Sequence, residues 1–240
     1  MIGNSGSAWS PKWLDPWFYW EANNGGDLLG KTKDLTTKRN VTVGGTSLES
    51  INYNLVNDFS ANTSTYYNIS DTTDIGSLFN GNFTLHFKFN FDAGGFIRLF
   101  GISETFSGAF GGDGVFLYWN TASVIRLTAN ATSSNSIQYA ECSHPASLGV
   151  DYQLTIVRDS PNIRIYVDNI SQTITYNNQV NFNTYLDSVS WGGGEKLGIM
   201  SQYPNEFTGT NKFDGKLYGS VILDRAITDN ERDILYKHFQ

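Results

Sequence analysis

Apolar and polar residues alternate strictly from Phe83 to Phe91. Phe83, Leu85, Phe87, Phe89 and Phe91 take the apolar positions; Thr84, His86, Lys88 and Asn90 take the polar ones. A period of two over nine residues puts the two sets on opposite faces of an extended chain, which predicts a half-buried strand with an aromatic inner face. Asp-Ala-Gly-Gly at 92–95 is turn chemistry, and a second strand is expected over 96–102. Further strands are expected at 114–119, 124–128, 137–141, 152–158, 162–167, 171–176, 196–201 and 213–223, with a short one at 40–43. Between them stand Gly-Gly-Asp-Gly, Asp-Ser-Pro-Asn, Val-Asp-Asn and Gly-Gly-Gly. Many short strands separated by such turns predict an all-β, antiparallel β-sandwich.

One segment reads as a helix. Thr228-Asp-Asn-Glu231 has the capping-box pattern, and Leu235 and Phe239 follow four apart on one face. Residues 51–80 are rich in Asn, Ser, Thr and Tyr and read as loops over the sheet. Residues 9–22, WSPKWLDPWFYWEA, hold four tryptophans, and Pro11 and Pro16 break any helix there. An extended segment is expected, with Trp9, Trp13, Trp17 and Trp20 forming a partner interface, because a single sandwich has no evident need of them. The expected organisation is a sandwich over 51–240 preceded by an extended, Trp-rich stretch over 1–50, either part of the same domain or an attachment arm.

Composition narrows the function classes. At 40% hydrophobic residues a 240-residue chain can bury a core, while charged residues at 16% fall below the usual quarter, so the surface is built from Asn, Ser, Thr and Gly. A net charge of -7 argues against duplex nucleic acid as a partner. The one cysteine, Cys142, excludes an intrachain disulfide, and His86, His144 and His238 have no zinc spacing with it. No signal peptide pattern and no apolar run of membrane-spanning length is visible, so synthesis in a cytoplasm without membrane insertion is expected.

Motifs that carry chemistry are few. Gly25-Gly-Asp-Leu-Leu-Gly30-Lys31-Thr32 fits a phosphate-binding loop, but neither a parallel strand before it nor an apolar helical stripe after it is present. Asp113 in Gly-Gly-Asp-Gly is the best single candidate ligand for a calcium ion, with Asp92 and Asp214 behind it, although Asp-Gly is also ordinary turn chemistry. No other cofactor is expected. The one Glu-x-Asp, Glu231-Arg-Asp233, lies on the helix and lacks the third carboxylate of a strand-borne hydrolase cluster, while Glu104, Asp113 and Glu195 sit near glycine loops. Cys142-Ser-His144 is a sequence neighbour pair, not a catalytic geometry. Tyr118, Trp119, Trp191 and Tyr203 stand beside glycine-rich loops, where exposed aromatic rings stack on sugars.

Three segments resemble the concanavalin A-like, laminin G-like jelly roll. Asp151-Tyr-Gln-Leu-Thr-Ile-Val-Arg158 is similar to the strand that opens a hairpin in that family, and Asn162-Ile-Arg-Ile-Tyr-Val-Asp168 to its partner, with Asn169 where glycine is usual. The stretch from Phe213 to Tyr236 resembles the closing strand, turn and short helix. Tyr19-Trp-Glu-Ala-Asn-Asn-Gly and Asp34 to Asn40 loosely match the opening of a subgroup found in bacteriophage structural and bacterial surface proteins. The resemblance implies a concanavalin A-like jelly roll with one short C-terminal helix. It implies a non-enzymatic virion structural subunit (capsid decoration, head fibre or tail-associated), homo-oligomeric and bound to other virion subunits, with a host-surface glycan as a further ligand. The alternative it implies is a carbohydrate-binding lectin or adhesin module, extracellular or on a cell surface. An atypical glycoside hydrolase comes third.

Overall fold

The computed structural model describes residues 10–21, 41–44, 47–51, 54–58, 66–69, 78–103, 114–131, 136–188, 196–199 and 213–240. In chain order the strands before the first helix are β1 (Phe18–Glu21), β2 (Val41–Gly44), β3 (Ser47–Ile51), β4 (Asn54–Asp58), β5 (Tyr66–Ile69), β6 (Phe83–Phe91), β7 (Phe96–Ser103), β8 (Gly114–Asn120), β9 (Val124–Ala131), β10 (Ser136–Ser143), β11 (Asp151–Asp159), β12 (Asn162–Val167), β13 (Ile170–Ser171) and β14 (Thr175–Tyr176). Helix α1 (Gln179–Ser188), β15 (Lys196–Ile199), β16 (Gly215–Leu223) and helix α2 (Asp229–His238) complete it. The first sheet runs β13-β12-β11-β6-β16-β4-β3, with β1 also paired to β16; the second runs β14-β10-β9-β8-β7-β15-β5-β2. Every ladder is antiparallel, so the predicted sandwich is the observed one.

The core lies between the sheets. Phe83, Leu85, Phe87, Phe89 and Phe91 of β6 meet Leu117 and Trp119 of β8 and Ile125 and Leu127 of β9 in one cluster, joined from β11 and β12 by Leu154, Ile156 and Ile165. Phe89 and Phe91 meet the Trp119 ring edge-on, at 5.7 and 5.3 Å. Helix α1, which the polar stretch QVNFNTYLDS conceals in the sequence, shuts one margin by burying Phe182 and Leu186 in this core. Arg158 of β11, fully buried, ties the helix down: its Nη2 donates to Asp187 at 2.6 Å and its Nη1 to the carbonyls of Phe79 and Gly81. The expected strand at 171–176 is instead two short pieces, β13 on the edge of the first sheet and β14 on the edge of the second, so this segment crosses between them.

Three further expectations are corrected. β6 is buried on both faces, because α2 covers the outer face of the first sheet; Thr84, His86 and Asn90 are enclosed as well. A second apolar cluster, Tyr19, Val157, Tyr166, Val221, Leu223, Ile227, Leu235 and Phe239, fills that layer. The second correction concerns the tryptophans. β1 pairs with β16 in the register Tyr19↔Val221 and Trp20↔Ser220, so residues 18–21 complete the first sheet. Phe18 and Trp20 then point into the inter-sheet core, with Trp17 beside them, while Tyr19 points under α2. Trp17 and Trp20 therefore serve the protein's own core; of the described tryptophans only Trp13, in the 3-10 turn Pro11–Leu14, is exposed, at 59%. Residues 51–80, expected as loops, contribute β4 and β5.

The predicted capping box opens α2: the Thr228 side chain accepts from the Glu231 amide, and Glu231 accepts from the Thr228 amide. Asp168 and Asn169 join β12 to β13 with φ of 48° and 65°, the paired positive values of a type I′ hairpin turn. Asn169 stands where glycine is usual because its side chain is used. It accepts from Arg232 Nε at 2.6 Å and donates to Asp233 at 3.0 Å, docking α2 on the turn.

Candidate functional site

Alternation along β8, β9 and β10 decides which side chains face away from the core. In β8, Val115, Leu117 and Trp119 point inward and Phe116 and Tyr118 outward. In β9, Ile125, Leu127 and Ala129 point inward and Arg126 and Thr128 outward. In β10, Ala140 and Cys142 point inward and Tyr139 and Glu141 outward. Registry then aligns Glu141, Arg126, Tyr118 and Arg98 in one row across four strands, and Tyr139, Thr128 and Phe116 in the next.

These side chains interlock. The Arg126 guanidinium lies 4.2 Å from the centre of the Tyr139 ring and pairs with Glu141 at 2.7 Å. Arg98 approaches the Tyr118 ring at 5.6 Å, and Tyr118 stacks on Phe116 at 6.4 Å with 22° between planes. Burial pushes the Tyr118 hydroxyl pKa up, against the opposing pull of a hydrogen bond with Thr128 and of the charges on Arg98 and Arg126. Tyr118, Phe116 and Arg98 form a buried floor, while Arg126 and Glu141 keep 32% and 21% of their side-chain surface accessible. Partly exposed Arg126, Glu141 and Tyr139 on a rigid sheet present donors, acceptors and an aromatic edge together, the chemistry that holds sugar hydroxyls and ring faces.

The expected ligand residues divide on this geometry. Tyr118 lies on the outward side of its strand, but only 2% of it is accessible; it packs on Phe116 beside Arg98 and offers a ligand no open face. Trp119, its neighbour, turns into the core, is fully buried, and donates its indole N–H to the His144 carbonyl at 2.9 Å; it has no face for a ligand, which corrects its expected role. Trp191 and Tyr203 lie outside the described residues, as do Trp9, the Gly25–Thr32 motif, Glu104, Asp113 and Glu195. Among the described residues no three His, Cys, Asp or Glu side chains gather as a metal site. Glu231 and Asp233 are engaged in capping and in docking α2. Cys142 faces the core, and burial drives its thiol up to about 12, so it stays protonated. Sequence reasoning missed Arg98, Arg126, Tyr139 and Glu141. The signal was a charged residue framed by apolar ones in V-I-R-L-T-A, which marks an outward face as firmly as the phenylalanines of β6 mark an inward one.

No protein-family model and no curated protein sequence matches the chain. Solved structures do. A binding domain of botulinum neurotoxin DC in complex with rat synaptotagmin II superimposes with a TM-score of 0.63 at 12% identity, over 94% of this chain and 52% of the other. The same binding domain in complex with SialylT gives 0.63 at 11%, over 93% and 51%. A structure on the dependence of botulinum neurotoxin type C cell entry on two ganglioside molecules gives 0.64 at 10%, over 93% and 51%. The chain spans about half the length of each, and at this identity the likeness is one of fold.

Proposed function

We propose that the protein is a non-catalytic, lectin-like recognition domain that binds a glycan on the outward face of the second sheet. The observation that carries this reading is the partly exposed Arg126–Glu141 pair with the Tyr139 ring against Arg126, set on a floor of buried Tyr118, Phe116 and Arg98. The similarity in fold to toxin binding domains solved with a host protein and a sialylated ligand supports it. A glycan array on the full chain, followed by calorimetric titration, is the test. Micromolar-to-millimolar binding is expected, with Arg126→Ala and Tyr139→Ala each weakening it by about tenfold or more while the circular dichroism stays native. An array with no bound glycan, or variants that bind as well as the wild type, would refute it.

A virion subunit is the second reading, and such a domain would carry its glycan face on a particle surface. Its attachment surface can no longer be the whole tryptophan cluster. Trp13, exposed on its short turn, is the feature that favours a partner there. Trp13→Ala should then abolish oligomerisation or particle attachment without unfolding the chain, and unchanged sedimentation and attachment would dispose of this reading.

A further inference from the structure

Helix α2 closes over a titratable cluster that the glycan face does not use. A cross-strand row beneath it reads Tyr19, Val221, His86, Thr155, Tyr166. His86 is at its centre and fully enclosed, with Nδ1 2.9 Å from Thr155 Oγ1 and Nε2 buried without a hydrogen-bond partner. The Phe239 ring lies 5.0 Å from the imidazole. It can sit there because residue 219 is glycine; a Cβ at that position would come within 2.2 Å of the ring.

The charged groups around this seat come from three elements. β6 supplies Lys88, whose Nζ donates to the Phe239 carbonyl at 2.6 Å. β1 supplies buried Glu21, which accepts from the Tyr19 hydroxyl and lies 2.9 Å from His238 Nε2. α2 supplies His238, the exposed Lys237, and Arg232, whose guanidinium lies 4.2 Å from the centre of the Tyr166 ring and pairs with Asp229 and Asp233. β11 faces the cluster with uncharged Thr155 and Gln153, the latter donating to the Tyr236 carbonyl at 3.1 Å, and β12 and β16 with Tyr166, Gly219 and Val221. Doubly protonated, His86 would carry its charge in an enclosed site with an Nε2–H that has no acceptor. Burial first, then the charges on His238 and Lys88, hold its pKa down to about 3.

We propose that α2 is an acid-released clasp: His86 takes up a proton only when Phe239 leaves its seat, so falling pH lifts the helix and uncovers the apolar layer beneath. The released state binds one proton more than the closed one. Linkage therefore favours release about tenfold per pH unit below about 6.5, or about 25-fold between pH 7 and pH 5. The contact of Glu21 with His238 ties the end of α2 to β1 and opposes release.

Hydrogen–deuterium exchange of the full chain at pH 7 and pH 5, with times scaled to intrinsic rates, tests the clasp. Amides of 229–238 should open about 25-fold more at pH 5 while β6 stays protected. His86→Gln and His86→Leu should both erase the difference. A wild-type helix indifferent to pH, a variant that keeps the full rise, or helix and β6 opening together each overturns the proposal. Should neither variant fold, ring-proton NMR of wild-type His86 decides: titration in step with α2 resonances supports the clasp, and titration without them overturns it.

Discussion

Trp20 and Trp13 stand seven positions apart in one aromatic stretch, yet their environments predict opposite consequences of the same substitution. Trp20 has no accessible surface and packs between the sheets, on a strand held by β16. Truncation to alanine removes an indole from a close-packed interior and leaves a cavity that a hydrogen-bonded sheet cannot collapse. The expected cost is about 3–5 kcal/mol. Trp13 is 59% exposed on a turn, so its truncation should stay within about 0.5 kcal/mol. With a urea m-value near 3 kcal/mol per molar for a domain of this size, Trp20→Ala should lower the midpoint by about 1–2 M and Trp13→Ala by less than about 0.2 M. Urea titrations followed by far-ultraviolet circular dichroism measure both. A Trp20→Ala midpoint within 0.3 M (roughly 1 kcal/mol) of the wild type, at unchanged m, would show that this tryptophan does not serve the protein's own core.

Other outcomes follow from single contacts. Asn169→Gly keeps the turn geometry but loses the bonds to Arg232 and Asp233, so a loss of about 1–2 kcal/mol is expected; Asn169→Val adds a β-branched residue at φ 65° and should cost more, both read by thermal unfolding. Cys142 should resist a thiol reagent at pH 8 until denaturant is added, and prompt labelling of the native protein would contradict its inward placement. The hydrogen bonds from Arg225 first, and those from Thr228, hold Glu231 down to about 2, below its ordinary 4.5. Its contribution to stability is thus complete above pH 4.5 and is lost as pH falls toward 2; Glu231→Gln should flatten that limb of the stability profile.

Local pattern made much of the fold readable. Strict alternation located β6, and short apolar runs between turn residues located β7 to β12, since strand burial is written into residue type over a few positions. The capping box placed α2 for the same kind of reason: its bonds join residues three apart. α1 escaped because two apolar residues four apart, Phe182 and Leu186, are its inward face, set among asparagines that favour turns. β4 and β5 escaped because their segments are polar and short.

The candidate site was less legible. Tyr118 was visible as an aromatic near a loop, but Arg126, Glu141, Tyr139 and Arg98 come from three strands, and only the ladder registry brings them into neighbouring rows. By itself, then, the sequence determined that this is an antiparallel β protein with an aromatic core and a capped C-terminal helix, because those properties follow from neighbours within a few positions. Only the tertiary structure decided that Trp20 fills that core, that His86 lies sealed beneath Phe239, and that Tyr118 and Trp119 are buried on opposite faces of one sheet. Each depends on which distant strand lies alongside, and on what covers a face that periodicity alone marks simply as polar.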